Sequence, residues 1–181
     1  MDHFNVEALV LKGKLLWSLD KTEEGNEQFW VAHSLEPNHS EVIEFLSIIR
    51  PKAEEAYERA RKEYMEGNDT GALMWIRKGL DVFHDMSKLL LLRASIMRKR
   101  KSFENAIDDL ELASKFMEAE HIDKEVKIQI GLTYNDMGKL LFSKGKHDGA
   151  ISVFNESIKY LPQDPGIHIN RGGRNVCVEF L

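Results

Sequence analysis

The sequence predicts an all-α chain, a right-handed α-solenoid of stacked helix-turn-helix units, on three observations. Apolar residues recur at three- and four-residue steps, as in Leu9, Leu16 and Leu19, then Ala53, Ala56 and Ala60, then Ile107, Leu110 and Ala113. No alternating strand patterns joined by Asn-Gly or Asp-Gly turns occur. A small-x-x-x-bulky phrase also repeats: Ala72 to Ile76, Ala106 to Leu110 and Ala150 to Phe154, with Gly25 and Phe29 beginning it earlier. From Ala72 to Ala106 is 34 residues, from Ala106 to Ala150 is 44, and from Gly25 to Ala72 is 47. The underlying period is 34, with insertions of 13 and 10 residues.

The elements follow from this period as a single array over 1–181. A first hairpin, about 6–39, places Leu9, Gly13, Leu16, Gly25, Phe29 and Ala32 before a closing Pro37. The insertion at about 40–52 extends the next first helix, because Val42, Leu46, Ile49, Ala53, Ala56 and Ala60 keep one alternation across Pro51. Either that helix bends at Pro51, or a separate short helix ends in a turn at Arg50-Pro51, since proline disfavours helical geometry at its predecessor. The second hairpin, about 53–86, holds Gly67, Ala72, Ile76 and Gly79, with His84 where a proline is expected. The third, about 87–120, holds Leu90, Ala94, Met97, Phe103, Ala106, Leu110 and Ala113. A second helix-extending insertion, about 121–130, continues through Ile122, Val126 and Ile130 into Met137 and Leu141.

The fourth hairpin, about 131–164, is the most regular, with Tyr134, Met137, Gly138 and Leu141, a turn at Gly145, then Ala150, Phe154 and Pro162. The stretch 165–181 opens as an incomplete fifth repeat at Ile167 to Gly172, is weakened by Gly172-Gly173, and leaves Val176, Val178 and Phe180 seeking cover. Gly13, Ala60, Ala94 and Gly138 share one position, where a minimal side chain lets paired helices approach and their bulky residues interdigitate. Each hairpin alone leaves an apolar flank in water, so stability is a property of stacked neighbours. Helix starts are marked by Asn68-Asp69-Thr70, Ser102 and Asp148, short polar side chains suited to free backbone N–H groups.

Composition removes several function classes. With 25 Lys+Arg against 30 Asp+Glu the net charge is −5, so no global basic field holds nucleic acid or an anionic membrane. The single cysteine, Cys177, forms no intramolecular disulfide, iron–sulfur cluster or thiolate zinc site, which points to a reducing, cytoplasmic setting. The amino terminus shows no secretory leader, and the longest apolar run, Leu89 to Leu92, is far too short to span a membrane. The seven histidines form no His-x3-His or His-Glu-x-x-His pattern, so no metal is expected. No phosphate-binding loop, dinucleotide fingerprint or nucleophile elbow occurs, so no cofactor and no catalytic residue is expected. The adjacent acids Asp108-Asp109 and Glu23-Glu24 diverge by about 100° on a helix and read as solvated charge. From Ser102 to Val126 eight acids oppose two lysines, and just before them runs Arg98-Lys99-Arg100-Lys101, a bipolar pattern that suits partner steering or end-to-end pairing of copies.

The 34-residue period, the small residues where two helices touch and the closing prolines resemble the tetratricopeptide repeat family. That resemblance implies a helix-turn-helix solenoid acting as a non-catalytic protein-interaction scaffold, with a protein or peptide partner. Two slots face the hollow that stacked first helices enclose: Lys14, Arg61, Ser95 and Lys139, then Trp17, Tyr64, Arg98 and Phe142 three residues later. Three cations beside three aromatics suit an extended or helical peptide carrying acidic and bulky side chains, so Lys14, Trp17, Arg61, Tyr64, Arg98, Lys139 and Phe142 are the candidate peptide-binding set. His147 takes a slot that is commonly aromatic in the family and reads as packing. The family's chaperone-tail clamp is disfavoured: its slots hold Val10, Lys14, Glu58, Lys88 and Leu92, of which only Lys88 fits. A closer likeness to one member, carried by Leu132-Thr133-Tyr134-Asn135-Asp136 and Ile169-Asn170-Arg171-Gly172, implies a structural part of a large assembly such as a ciliary axoneme. A regulatory module of a larger enzyme is the remaining alternative.

Overall fold

The computed structural model of the chain describes residues 5–83, 86–115 and 122–172. His84, Glu118, Glu120 and the predicted tail with Val176, Val178 and Phe180 lie outside the described residues. The described residues form α-helices joined by short turns, with no strand among them. The chain divides into two compact units, Met1–Met86 and Ser87–Leu181. The first contains α1 (Val6–Ser18), α2 (Thr22–Leu35), α3 (Ser40–Met65) and α4 (Asp69–Val82). The second contains α5 (Ser87–Lys99), α6 (Phe103–Lys115), α7 (Ile122–Ser143), α8 (His147–Tyr160) and α9 (Pro165–Gly172). Within each unit the helices pack chiefly as sequential pairs, α1 with α2 and α3 with α4, then α5 with α6 and α7 with α8.

The four hairpin turns are one structure repeated. Asp20, Gly67, Lys101 and Gly145 each hold a left-handed backbone, at φ of 62°, 81°, 62° and 70°. The next amide donates five residues back: Lys21 to Leu16, Asn68 to Glu63 and Ser102 to Met97 at 2.9 Å, and Lys146 to Leu141 at 3.0 Å. This closure satisfies carbonyls that the helix end leaves free, and it requires the positive φ. Successive left-handed residues lie 47, 34 and 44 apart, the same intervals as the apolar phrase. Asn68 caps α4 through its side chain, accepting from the Gly71 amide at 3.0 Å, as its residue type predicts. Asp148 instead falls inside the first turn of α8, whose N-cap is Lys146.

The small-residue position works by matched volume. A Cβ on Gly13 would lie 2.7 Å from the Phe29 ring, and one on Gly138 2.5 Å from the Phe154 ring. Both phenylalanines are essentially fully buried, at 0% and 1% exposure. In the two middle hairpins alanine takes the small position, as Ala60 and Ala94, and the large one is the shorter Ile76 and Leu110. Glycine faces phenylalanine and alanine faces an aliphatic residue, which keeps the contact filled without overlap.

The two insertions extend first helices. α3 is one continuous helix of 26 residues through Pro51, so no separate short helix ends in a turn at Arg50-Pro51. Pro51 has no amide hydrogen, so the carbonyl of Ser47 lacks its helical donor there. In the second unit Val126 and Ile130 of the other extension are buried in one cluster with Ala94, Ala106 and Leu110. Short α9 docks through buried Ile167 and through Asn170, which donates to buried Asn135 of α7 at 2.9 Å.

Candidate functional site

Each unit carries its own cleft beside a first helix, and the candidate residues divide between them. In the first unit Lys14 and Trp17 of α1 face Glu41, Glu44, Phe45 and Ile48 of α3 across a space of about 390 Å³, with Phe29 at its base. Trp17 is fixed at both ends: its Nε1 donates to Asn26 Oδ1 at 3.0 Å, and its ring meets Phe45 edge-on at 5.2 Å. Asn26, 3% exposed, in turn donates to the Asp81 carbonyl at 3.5 Å. Gly25 lies against the Trp17 ring, where a Cβ would collide with it. Phe29 and Phe45 stack at 3.6 Å, so the cleft has a rigid aromatic wall.

Charge in this cleft is already partly spent. Lys14 Nζ lies 2.5 Å from Glu41 Oε2, and this hydrogen bond, with the lysine's charge, holds the Glu41 carboxyl below its ordinary value. Glu44 adds a second carboxylate to the lining. Lys52 sits 5.3 Å over the Trp17 ring. The other two candidates of this unit do not line the cleft: Arg61 pairs with Glu58 at 3.5 Å, and Tyr64 is half-buried farther along α3. A second space of about 330 Å³ lies on the same extension, lined by Ser47, Arg50 and Pro51 with Trp30, His33 and Phe83. There the Arg50 guanidinium stands 5.1 Å over the Phe83 ring.

The second unit's cleft is cationic. Arg98, Lys99 and Lys101 line it at the end of α5 and in the following turn, with Asp136, Lys139 and Leu140 of α7 opposite, around about 400 Å³. Arg98 donates to Gln129 at 2.9 Å and pairs with Asp136 at 3.7 Å, and Lys139 reaches the same carboxylate at 3.5 Å. Phe142, a candidate contact residue, does not line this space; its ring meets His147 edge-on at 5.3 Å, a packing contact of the kind expected of His147. Ser95, in the cation slot of this repeat, turns its hydroxyl back to the Leu91 carbonyl at 3.0 Å.

Sequence reasoning missed one buried charge. Asp109 is 7% exposed and takes a bidentate contact from Arg93, Nε to Oδ2 at 2.8 Å and NH2 to Oδ1 at 2.6 Å. The contact holds the Arg93 pKa above its ordinary value, against the opposing effect of burial. Asp108 is exposed as expected; Asp109 is not solvated. The helical phase carried the signal, since Ala106, Asp109, Leu110 and Ala113 follow the spacing of one face. Ser157 is fully buried and donates to the Gly131 carbonyl at 2.6 Å, tying α8 to α7. Among the described residues no group of three His, Cys, Asp or Glu is placed to hold a metal ion, and no helix is long and apolar enough to cross a membrane.

The repeated α-helical hairpins have the fold of the tetratricopeptide-repeat proteins, an all-α solenoid class. Among curated proteins, the chain is similar to Tetratricopeptide repeat protein 16 of Homo sapiens, 23% identical over 175 residues, which is 94% of this chain and 20% of that protein. The Mus musculus protein of the same name is 21% identical over 170 residues, 93% of this chain and 22% of that protein. The chain therefore spans about a fifth of the length of the curated relatives it matches. Among solved structures it is similar to the P58(IPK) TPR domain, at 21% identity and a TM-score of 0.51, over 92% of this chain and 44% of that one. No protein-family model matches the chain.

Proposed function

We propose that this chain is a protein-interaction module that binds segments of partner proteins at the clefts beside its first helices and performs no reaction itself. The observation that carries the reading is the placement of Lys14 and Trp17 in the first unit, and of Arg98 and Lys139 in the second, each pair lining an open cleft of peptide-side-chain size. Arg61, Tyr64 and Phe142 belong to the same proposed contact set as flanking positions on α3 and α7. The two clefts differ in charge: Glu41 and Glu44 accompany Lys14 in the first, whereas in the second Arg98, Lys101 and Lys139 accompany Asp136 among the described lining residues. An acidic partner segment is therefore assigned to the second unit, and an apolar one to the aromatic wall of the first.

Photo-crosslinking residues placed at Ile48 and at Ser143, one in each cleft, test this against a control at Arg77, whose side chain is 86% exposed. Partners captured from Ile48 or Ser143 and not from Arg77 support the reading. Equal capture from all positions contradicts it.

A structural role in a large assembly, a ciliary axoneme being the instance that the likeness to Tetratricopeptide repeat protein 16 suggests, is favoured by one observation. Leu11 and Leu15 on α1, with Leu19 at its C-cap, are exposed at 69%, 59% and 60%. Incorporation into isolated particles that survives Phe45→Ala and Lys139→Glu but fails in Leu11→Gln/Leu15→Gln would favour this second reading over the clefts.

A further inference from the structure

We propose that the aromatic cleft of the first unit receives a partner segment in which a bulky apolar side chain and a basic one stand two residues apart. The proposal rests on the reading of the clefts as contact surfaces and adds the charge and spacing of the segment received. Lys14 is held by Glu41, Nζ to Oε2 at 2.5 Å, so its charge is already answered within the lining. Glu44 accepts from the Ser47 hydroxyl through its backbone carbonyl at 2.6 Å, while its exposed carboxylate has no ion-pair or hydrogen-bond partner among the described residues. The lining therefore carries one uncompensated charge, and it is negative. A partner carboxylate would meet Glu44 as a like charge, whereas an ammonium or guanidinium group complements it.

Position along α3 gives the spacing. Ile48, 60% exposed, lies one helical turn beyond Glu44, about 6 Å along the axis. Between them Phe45 is stacked on Phe29 and met edge-on by Trp17, whose indole N–H is held by Asn26. An apolar side chain seated on Ile48 and this wall has the carboxylate about 6 Å to one side, close to the ~6.6 Å between alternate side chains of an extended segment. Lys52, one turn past Ile48, stands 5.3 Å from the Trp17 ring and puts a positive charge at the opposite end. That leaves the Glu44 end as the place for a partner cation, so the cleft fixes which end of the segment is basic.

The test uses the full chain, isotope-labelled on nitrogen, and short Ser-Gly peptides containing Leu-Ser-Lys, Leu-Ser-Glu or Ser-Ser-Lys, each also in reversed order. The readout is the NMR signal of the Trp17 indole N–H, assigned with Trp17→Phe. The Leu-Ser-Lys peptide, in one of its two orders, is expected to shift that signal saturably and to bind roughly fivefold more tightly than Leu-Ser-Glu, the scale of one exposed ion pair, with the difference shrinking as salt is added. Ser-Ser-Lys is expected to leave the signal unmoved. Glu44→Lys is expected to reverse the preference toward Leu-Ser-Glu with an unchanged Tm by circular dichroism, since Glu44 is exposed. Glu54→Gln, on α3 but outside this cleft, is expected to change neither affinity nor preference. The proposal is overturned if Leu-Ser-Glu binds as tightly as Leu-Ser-Lys, if Glu44→Lys leaves the preference as it was, or if no peptide moves the signal. It is equally overturned if the signal moves with protein concentration alone, which would make a second copy of the chain the occupant. In each of those cases crosslinks from Ile48 to a protein partner would leave the interaction-module reading standing; their absence as well would remove both for this cleft.

Discussion

The two helix extensions are built alike and used differently. Each lengthens the first helix of a hairpin, α3 by 40–52 and α7 by 122–130, and each continues the three-and-four alternation of the repeat behind it. The first turns Glu41, Glu44, Phe45 and Ile48 into one wall of an open cleft and Ser47, Arg50 and Pro51 into part of another. The second puts Val126 and Ile130 into the core, at 1% and 4% exposure, and lends Gln129 to hold Arg98. A helix extension can thus line an open cleft on one face while it fills the core with another, as α3 does with buried Val42 and Ile49, and its periodicity does not say which face stays open. What decides is whether a neighbouring hairpin covers the face it presents.

The same contrast runs through matched positions of the repeat. Arg59 stands 4.5 Å over the Trp75 ring in the second hairpin, and at the corresponding positions of the third Arg93 grips buried Asp109. The largest expected effect follows: Asp109→Ala leaves a half-buried guanidinium without its partner and destabilises the chain by about 3 kcal/mol in chemical denaturation. Trp75→Ala is expected to cost about 1 kcal/mol, since a stacked surface cation contributes little beyond buried area. Equal losses would erase the distinction between the two hairpins.

Volume matching gives the next effect. Gly138→Ala drives a methyl into the Phe154 ring and is expected to cost about 2 kcal/mol. Adding Phe154→Leu recreates the alanine–aliphatic pairing of the middle hairpins, so the double variant should be more stable than the sum of the two single losses predicts. Strict additivity would mean that the two side chains do not share one contact.

A smaller effect comes from the turns. Gly67→Ala or Gly145→Ala should cost about 1 kcal/mol, whereas Asp20→Gly or Lys101→Gly should stabilise by up to about 1 kcal/mol, because glycine adopts positive φ without a Cβ penalty. Thermal melts of the four variants check the opposite signs.

The repeat phase was legible in sequence because bulky and minimal residues must alternate wherever two helices cross; intervals of 47, 34 and 44 residues therefore reappear in the turn backbones. Lysine and aspartate at two of those turns hid the turns from a search for glycine. The candidate site was legible only in part. Lys14 and Trp17 were found because they occupy repeat slots, but the opposite wall of their cleft lies in the insertion, where no slot exists to align. The sequence alone does not pair Lys14 with Glu41, 27 residues on, because the two meet only through the fold. That pairing supplies the smallest expected effect. Since the folded Glu41 pKa is depressed, its contribution is present above the unfolded carboxylate value and is lost as pH falls through the folded one. An NMR titration should show the Glu41 carboxyl moving back up toward its ordinary value in Lys14→Met, and an unchanged value would deny the contact.

The most direct test of the difference between the extensions is one substitution made in both. Ile48 is 60% exposed and Ile130 is 4% exposed. Equilibrium denaturation followed by far-UV circular dichroism should give a loss of about 3 kcal/mol for Ile130→Ala and under about 0.5 kcal/mol for Ile48→Ala. Equal losses, or a larger one at Ile48, would contradict the placement of Ile48 on the open face of its extension, beside buried Val42 and Ile49, and of Ile130 in the core.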